Sequence, residues 1–133
     1  MSHSPRELAE RFYAEIINGK RLDALEELVA DDFIEHGAPP SVGRDGFRAF
    51  LTGLAGGLPD VELEVDDWIV EGDRVVARCR VAGTHHGELF GYQPTGRRVS
   101  WSAIHIWRAV DGRLAERWSQ ADMHGIIQQL EGR

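Results

Sequence analysis

The hydrophobic period of this chain changes once, and that change fixes the class of fold. Up to Leu54 apolar residues recur at helical spacing; from Val61 they alternate. Ser4, Pro5 and Glu7 make a capping box with proline at the first helical position. Leu8, Ala9, Phe12 and Ile16 form the stripe of that helix, and Asn18-Gly19 stops it. Leu22, Leu25, Leu28 and Val29 predict a second, short helix, ended by Asp31-Asp32. Phe33 to His36 reads as a short extended piece and Gly37 to Ser41, with two prolines, as loop. Gly43 to Leu54 is helical again, and Gly56-Gly57 ends it.

Val61, Leu63 and Val65 then alternate with acids. Trp68 and Val70 have the other parity, which predicts a bulge near Asp66-Asp67. Glu71-Gly72-Asp73 turns the chain into a return strand, Val75 to Val81, whose face His85 continues. Gly87 to Gly96 is loop, Val99 to Val110 a long strand, and Asp111-Gly112 a two-residue hairpin turn. Arg113 to Asp122 is the last strand, and Met123 to Leu130 closes the chain as a helical turn or short helix. Helices grouped before a meander of four antiparallel strands predict an α+β domain over residues 1–133, with a pocket between helices and sheet.

Composition narrows the function. A formal net charge of -7 argues against nucleic acid and against an anionic membrane surface as partner. A single cysteine, Cys79, forbids an internal disulfide. No apolar run reaches the roughly 20 residues of a membrane helix. The N-terminus carries no signal-peptide core, so the expected compartment is the cytoplasm.

The last hairpin carries the candidate site. Regular pairing from Val110–Arg113 sets His105 opposite Trp118, Ala103 opposite Gln120 and Trp101 opposite Asp122. Trp101, His105, Trp107, Glu116, Trp118, Gln120 and Asp122 then share one face; Ser100, Ser102, Ile104, Ile106, Arg117 and Ser119 take the other. A carboxylate among tryptophans has a raised pKa and suits acid/base work near neutral pH. Asp122 equally suits the N-cap of the closing helix, and His105 suits a satisfied core position. The register separates the two by about 13 Å, so they would flank a ligand rather than bond each other. Tyr13, His36 and His85 are further candidates for contact with it. No spacing among the histidines demands a metal, no nucleophile elbow exists, and the glycines match no phosphate-binding loop.

Several segments together carry a resemblance: Phe12-Tyr13, Asn18-Gly19, Leu22-Asp23-Ala24-Leu25, Leu28 to Phe33, His36, Gly43 to Phe47, Gly91, Pro94 to Val99, Ile106-Trp107-Arg108, Asp111-Gly112-Arg113, Glu116-Arg117-Trp118 and Asp122. In this order and spacing, over nearly the whole chain, they resemble the SnoaL-like polyketide cyclases (ester cyclases) of the nuclear transport factor 2-like superfamily. The resemblance implies a cone in which three N-terminal helices pack on the concave face of a curved antiparallel sheet, and a homodimer through that sheet. It implies cofactor-free, metal-free acid/base chemistry, an intramolecular aldol closure on a small polyketide-like or ester substrate. Asp122 would be the acid/base, His105 its neighbour, and the other named residues would contact a small apolar ligand. A hydratase, dehydratase, isomerase or epoxide hydrolase of the same fold, or a binding or dimerisation module, are the alternatives.

Overall fold

The computed structural model describes residues 4–37 and 39–133. Helix α1 (Pro5–Arg11) opens on the expected capping box, with Ser4 Oγ accepting the Glu7 amide at 3.1 Å. It widens into a π-wound segment, Phe12–Asn18, rather than continuing as one α-helix. The wider winding keeps two adjacent pairs, Phe12-Tyr13 and Ile16-Ile17, all on the buried side. A 3₁₀ turn (Leu22–Ala24) leads into α2 (Leu25–Leu28), and β1 (Val29–Glu35) follows at once. The strand begins four residues before the expected Phe33, because Val29 is fully buried beside Leu114 rather than on a helix face.

The short β2 (Ser41–Val42) lies in the expected loop and pairs with β1. Then come α3 (Arg44–Gly57), β3 (Glu62–Glu71), β4 (Arg74–Thr84), β5 (Arg98–Val110), β6 (Arg113–Ala121) and α4 (Met123–Leu130). The strands form one curved sheet in the order β2-β1-β6-β5-β4-β3. The last four strands are the predicted antiparallel meander, while β1 joins it parallel to β6.

Two bulges shape the antiparallel meander. One falls at Asp66, where the parity change predicted it. The other was not anticipated. Asp111-Gly112 does make a two-residue turn, with φ of 50° and 78°. Ala109 pairs with Leu114, but Arg108 pairs with Glu116, so Ala115 is an extra residue. From there β6 is one place out of the expected register. His105 lies opposite Ser119, not Trp118, and Trp107 lies opposite Arg117. Arg117, Ser119 and Ala121 therefore turn inward, and Glu116 and Trp118 turn outward.

The closed end of the space between helices and sheet is filled by aromatic rings. Phe33 stacks on Phe47 at 4.6 Å, and Phe12 meets Trp107 at 4.8 Å and Phe47 at 5.6 Å. All four are fully buried. Phe47 is central to this cluster, so Phe47→Ala should cost about 3–5 kcal/mol of unfolding free energy, measured by urea titration. A loss below about 1 kcal/mol would show that these rings do not support the sheet.

Candidate active site

Beyond the aromatic cluster the space stays open as a cavity of about 270 Å³. That is near the lower end for organic-ligand sites. Its apolar wall comes from the helices, through Phe12, Ile17, Phe50, Leu51, Leu54, Met123 and Ile126. Its polar wall comes from the sheet and Tyr13: His105 on β5, and Arg117 and Ser119 on β6.

Two linked arrangements hold that polar wall. In the first, Trp107 Nε1 donates to the Tyr13 hydroxyl at 2.9 Å, and that hydroxyl contacts His105 Nδ1 at 2.7 Å. An indole nitrogen can only donate, so the Tyr13 oxygen accepts from Trp107 and its proton is left for Nδ1. The neutral imidazole then carries its own proton on Nε2, the nitrogen left for the cavity. Burial and the Arg117 charge hold His105 well below its ordinary value. Burial also raises the Tyr13 phenol well above its own, so it stays protonated. Cys79 lies behind this pair, its Sγ 3.9 Å from His105 Nδ1, with a thiol pushed up to about 11 by burial.

In the second, Arg117 Nε donates to Glu35 Oε2 at 2.5 Å, and the Gly37 amide donates to Oε1 at 2.9 Å. Glu35 is 4% exposed and Arg117 6%. Gly37 has to be glycine here, since a Cβ would meet Glu35 Oε1 at 2.9 Å and Ser119 Cβ at 3.0 Å. The Arg117 guanidinium lies over the rings of Phe47 and Trp107, at 5.1 and 5.2 Å.

Of the residues singled out in the sequence, Tyr13, His36, Trp101 and His105 line the cavity, and Gln120 borders it although the bulge turns it to the exposed outer face with Trp118. His36 lines it at its border. Its ring stacks on Trp118 at 5.0 Å and its Nε2 meets Glu116 at 2.5 Å. Four expected positions are corrected. Asp122 does not look inward: it is exposed and caps α4, accepting the Gly125 amide at 2.9 Å. Trp118 faces outward because of the Ala115 bulge, with the Arg74 guanidinium 4.9 Å above its ring. Trp107 is core and reaches the site through Tyr13 and Arg117. His85 is fully buried away from the cavity, its Nδ1 accepting from the Thr95 amide at 3.3 Å. Sequence reasoning missed Arg117, Ser119 and Glu35. No glycine or proline signals the bulge that turns the first two inward, and only the parallel β1–β6 pairing brings Glu35 beside Arg117. Among the described residues no three His, Cys, Asp or Glu side chains come together as a metal site, and no helix is long and apolar enough to cross a membrane.

The profile of the SnoaL-like polyketide cyclases matches residues 7–130. The chain belongs to this family. It is 30% identical over 132 residues to aklanonic acid methyl ester cyclase DauD of Streptomyces sp. (strain C5), covering 96% of this chain and 82% of the relative. It is 30% identical over 122 residues to nogalonic acid methyl ester cyclase of Streptomyces nogalater, covering 85% and 87%. Among solved structures, IdmH of Streptomyces antibioticus superposes with a TM-score of 0.84 at 29% identity, over 97% of this chain and 99% of that one. The α+β fold with helices over a curved sheet is thus that of the SnoaL-like cyclases.

A SnoaL-like chain with this buried imidazole loses stability in acid. Between the depressed folded value of His105 and its ordinary 6.5, the unfolded chain binds a proton that the folded chain refuses. This contribution is complete above pH 6.5 and is lost as the pH falls below it, by at most about 1.4 kcal/mol per pH unit. Urea unfolding at several pH values should show the wild type losing more stability on acidification than His105→Asn. Equal losses would mean that His105 is not buried as a neutral group.

Proposed function

We propose that this chain is a cofactor-free cyclase that closes a ring by intramolecular aldol chemistry in a small polyketide-like substrate, with His105 as the proton carrier. Family membership supports the reaction class, and the named relatives act on methyl esters of polyketide acids. The observation that carries the assignment of His105 is the Trp107–Tyr13–His105 chain at the cavity wall. In this reading a substrate carbonyl accepts the Tyr13 hydroxyl, which turns from Nδ1. The imidazole then takes the tautomer that donates Nδ1–H to the Tyr13 oxygen, leaving Nε2 bare.

Nε2 removes a proton from carbon between two carbonyls. The enolate oxygen is held by Tyr13 and lies in the field of Arg117, where charge develops. The enolate carbon attacks a second carbonyl, kept close by the apolar wall. The new alkoxide takes the proton back from Nε2. An imidazolium beside Arg117 is disfavoured, which speeds that return. Asp122 acts as a helix cap. Trp101, Gln120 and His36 contact the ligand in this scheme.

Aklanonic and nogalonic acid methyl esters, with their free acids, are the assay panel. His105→Asn keeps a side chain able to bond Tyr13 but unable to carry the proton, and turnover should fall about 10²–10⁴-fold. Asp122→Asn, still a good cap, should keep turnover within about threefold. Loss of turnover in Asp122→Asn with full activity in His105→Asn would reverse the assignment.

We also propose a homodimer through the outer face of the sheet. Ile69 and Ile104 are exposed there, apolar surface that a second copy would cover. Sedimentation should give a dimer for the wild type and a monomer for Ile104→Asp. A wild-type monomer at micromolar concentration would exclude it.

A further inference from the structure

The aldol scheme uses the charge of Arg117 but none of its remaining hydrogen-bond donors. Nε is taken by Glu35 and the two faces of the guanidinium by Phe47 and Trp107. Four N–H donors on the two Nη atoms remain. Among the described residues none of them has a protein partner, and Arg117 lines the cavity. Packing at 6% exposure prevents the side chain from swinging out to water. Donors fixed in a low-dielectric wall without acceptors are costly, unless the acceptor arrives with the ligand.

Neighbouring groups point the same way. Ser119 is two residues along β6 from Arg117, opposite His105, and its hydroxyl has no protein partner. Among the described residues no Asp or Glu lines the cavity. Glu35 neutralises Arg117 as a pair, but its oxygens are turned to Nε and to the Gly37 amide, so a ligand meets the donor edge. The facing wall, with Phe50, Leu51, Leu54 and Ile126, suits a flat apolar body. A guanidinium edge matches two coplanar oxygens.

We propose that this chain selects substrates bearing an ionised carboxylate: an aromatic or polyketide acid in the free form, held by the Arg117 Nη edge and the Ser119 hydroxyl. An ester offers the same oxygens without the charge. The inference rests on the small-molecule reading of the cavity, but its test does not depend on turnover.

Calorimetry on the full chain would compare 1-naphthoate with methyl 1-naphthoate. The acid should bind at least about tenfold more tightly. In Glu35→Gln/Arg117→Met, which leaves no unpaired buried charge, that preference should fall below about threefold, with folding checked by circular dichroism. Ser119→Ala, which disturbs no ion pair, should weaken the acid about three- to tenfold and leave the ester unchanged. Equal binding of acid and ester by the wild type, no binding of the acid at millimolar concentration, a preference above about threefold in the double variant, or one undiminished in Ser119→Ala would overturn the proposal. Turnover of methyl esters alongside equal binding would leave the cyclase reading standing and sink only the carboxylate preference.

Discussion

The ion pair between Glu35 and Arg117 is the constraint on which the rest of this site depends. Two charges under 7% exposed must satisfy each other, because an unpaired one would cost several kcal/mol. Their pairing joins β1 to β6 at the level of the cavity and fixes the guanidinium between Phe47 and Trp107. It presents cationic donors to the polar wall of a largely apolar space and adds to the burial that depresses the imidazole of His105. Aromatic packing, proton chemistry and ligand charge all meet at that one side chain.

Much of the fold is legible in local pattern. The capping box at Ser4, the Asp66 bulge and the Asp111-Gly112 turn are each determined by residues within a few places of one another. The site is less legible because it depends on one unannounced residue. Ala115 has no special backbone requirement, yet as an extra residue it exchanges the faces of everything after it in β6. Regular counting therefore sends Trp118 inward and Arg117 outward, the reverse of what the fold does. Tyr13 and His105 stand at the cavity wall, where local pattern puts them, because they precede the bulge, on the π-wound segment after α1 and on β5. Asp122 has two local readings, cap and inward acid, and the geometry of α4 selects the cap.

The polar wall combines a neutral imidazole with a fixed cation. A histidine kept neutral by burial has its ring nitrogen free as a base at neutral pH and gives up readily any proton it takes. A paired arginine supplies positive potential that does not titrate. In the proposed aldol closure both groups act on the enolate, and the named relatives are cyclases of aklanonic and nogalonic acid methyl esters. On our reading the same arginine also selects the charge of the ligand.

The protonation of His105 tests this account most directly. Nitrogen-15 NMR of the imidazole in the ligand-free protein should report a neutral ring through pH 6.5 and below, protonated on Nε2 and accepting at Nδ1. A ring that titrates at or above 6.5, or one already doubly protonated at neutral pH, would contradict the Tyr13–His105–Arg117 arrangement.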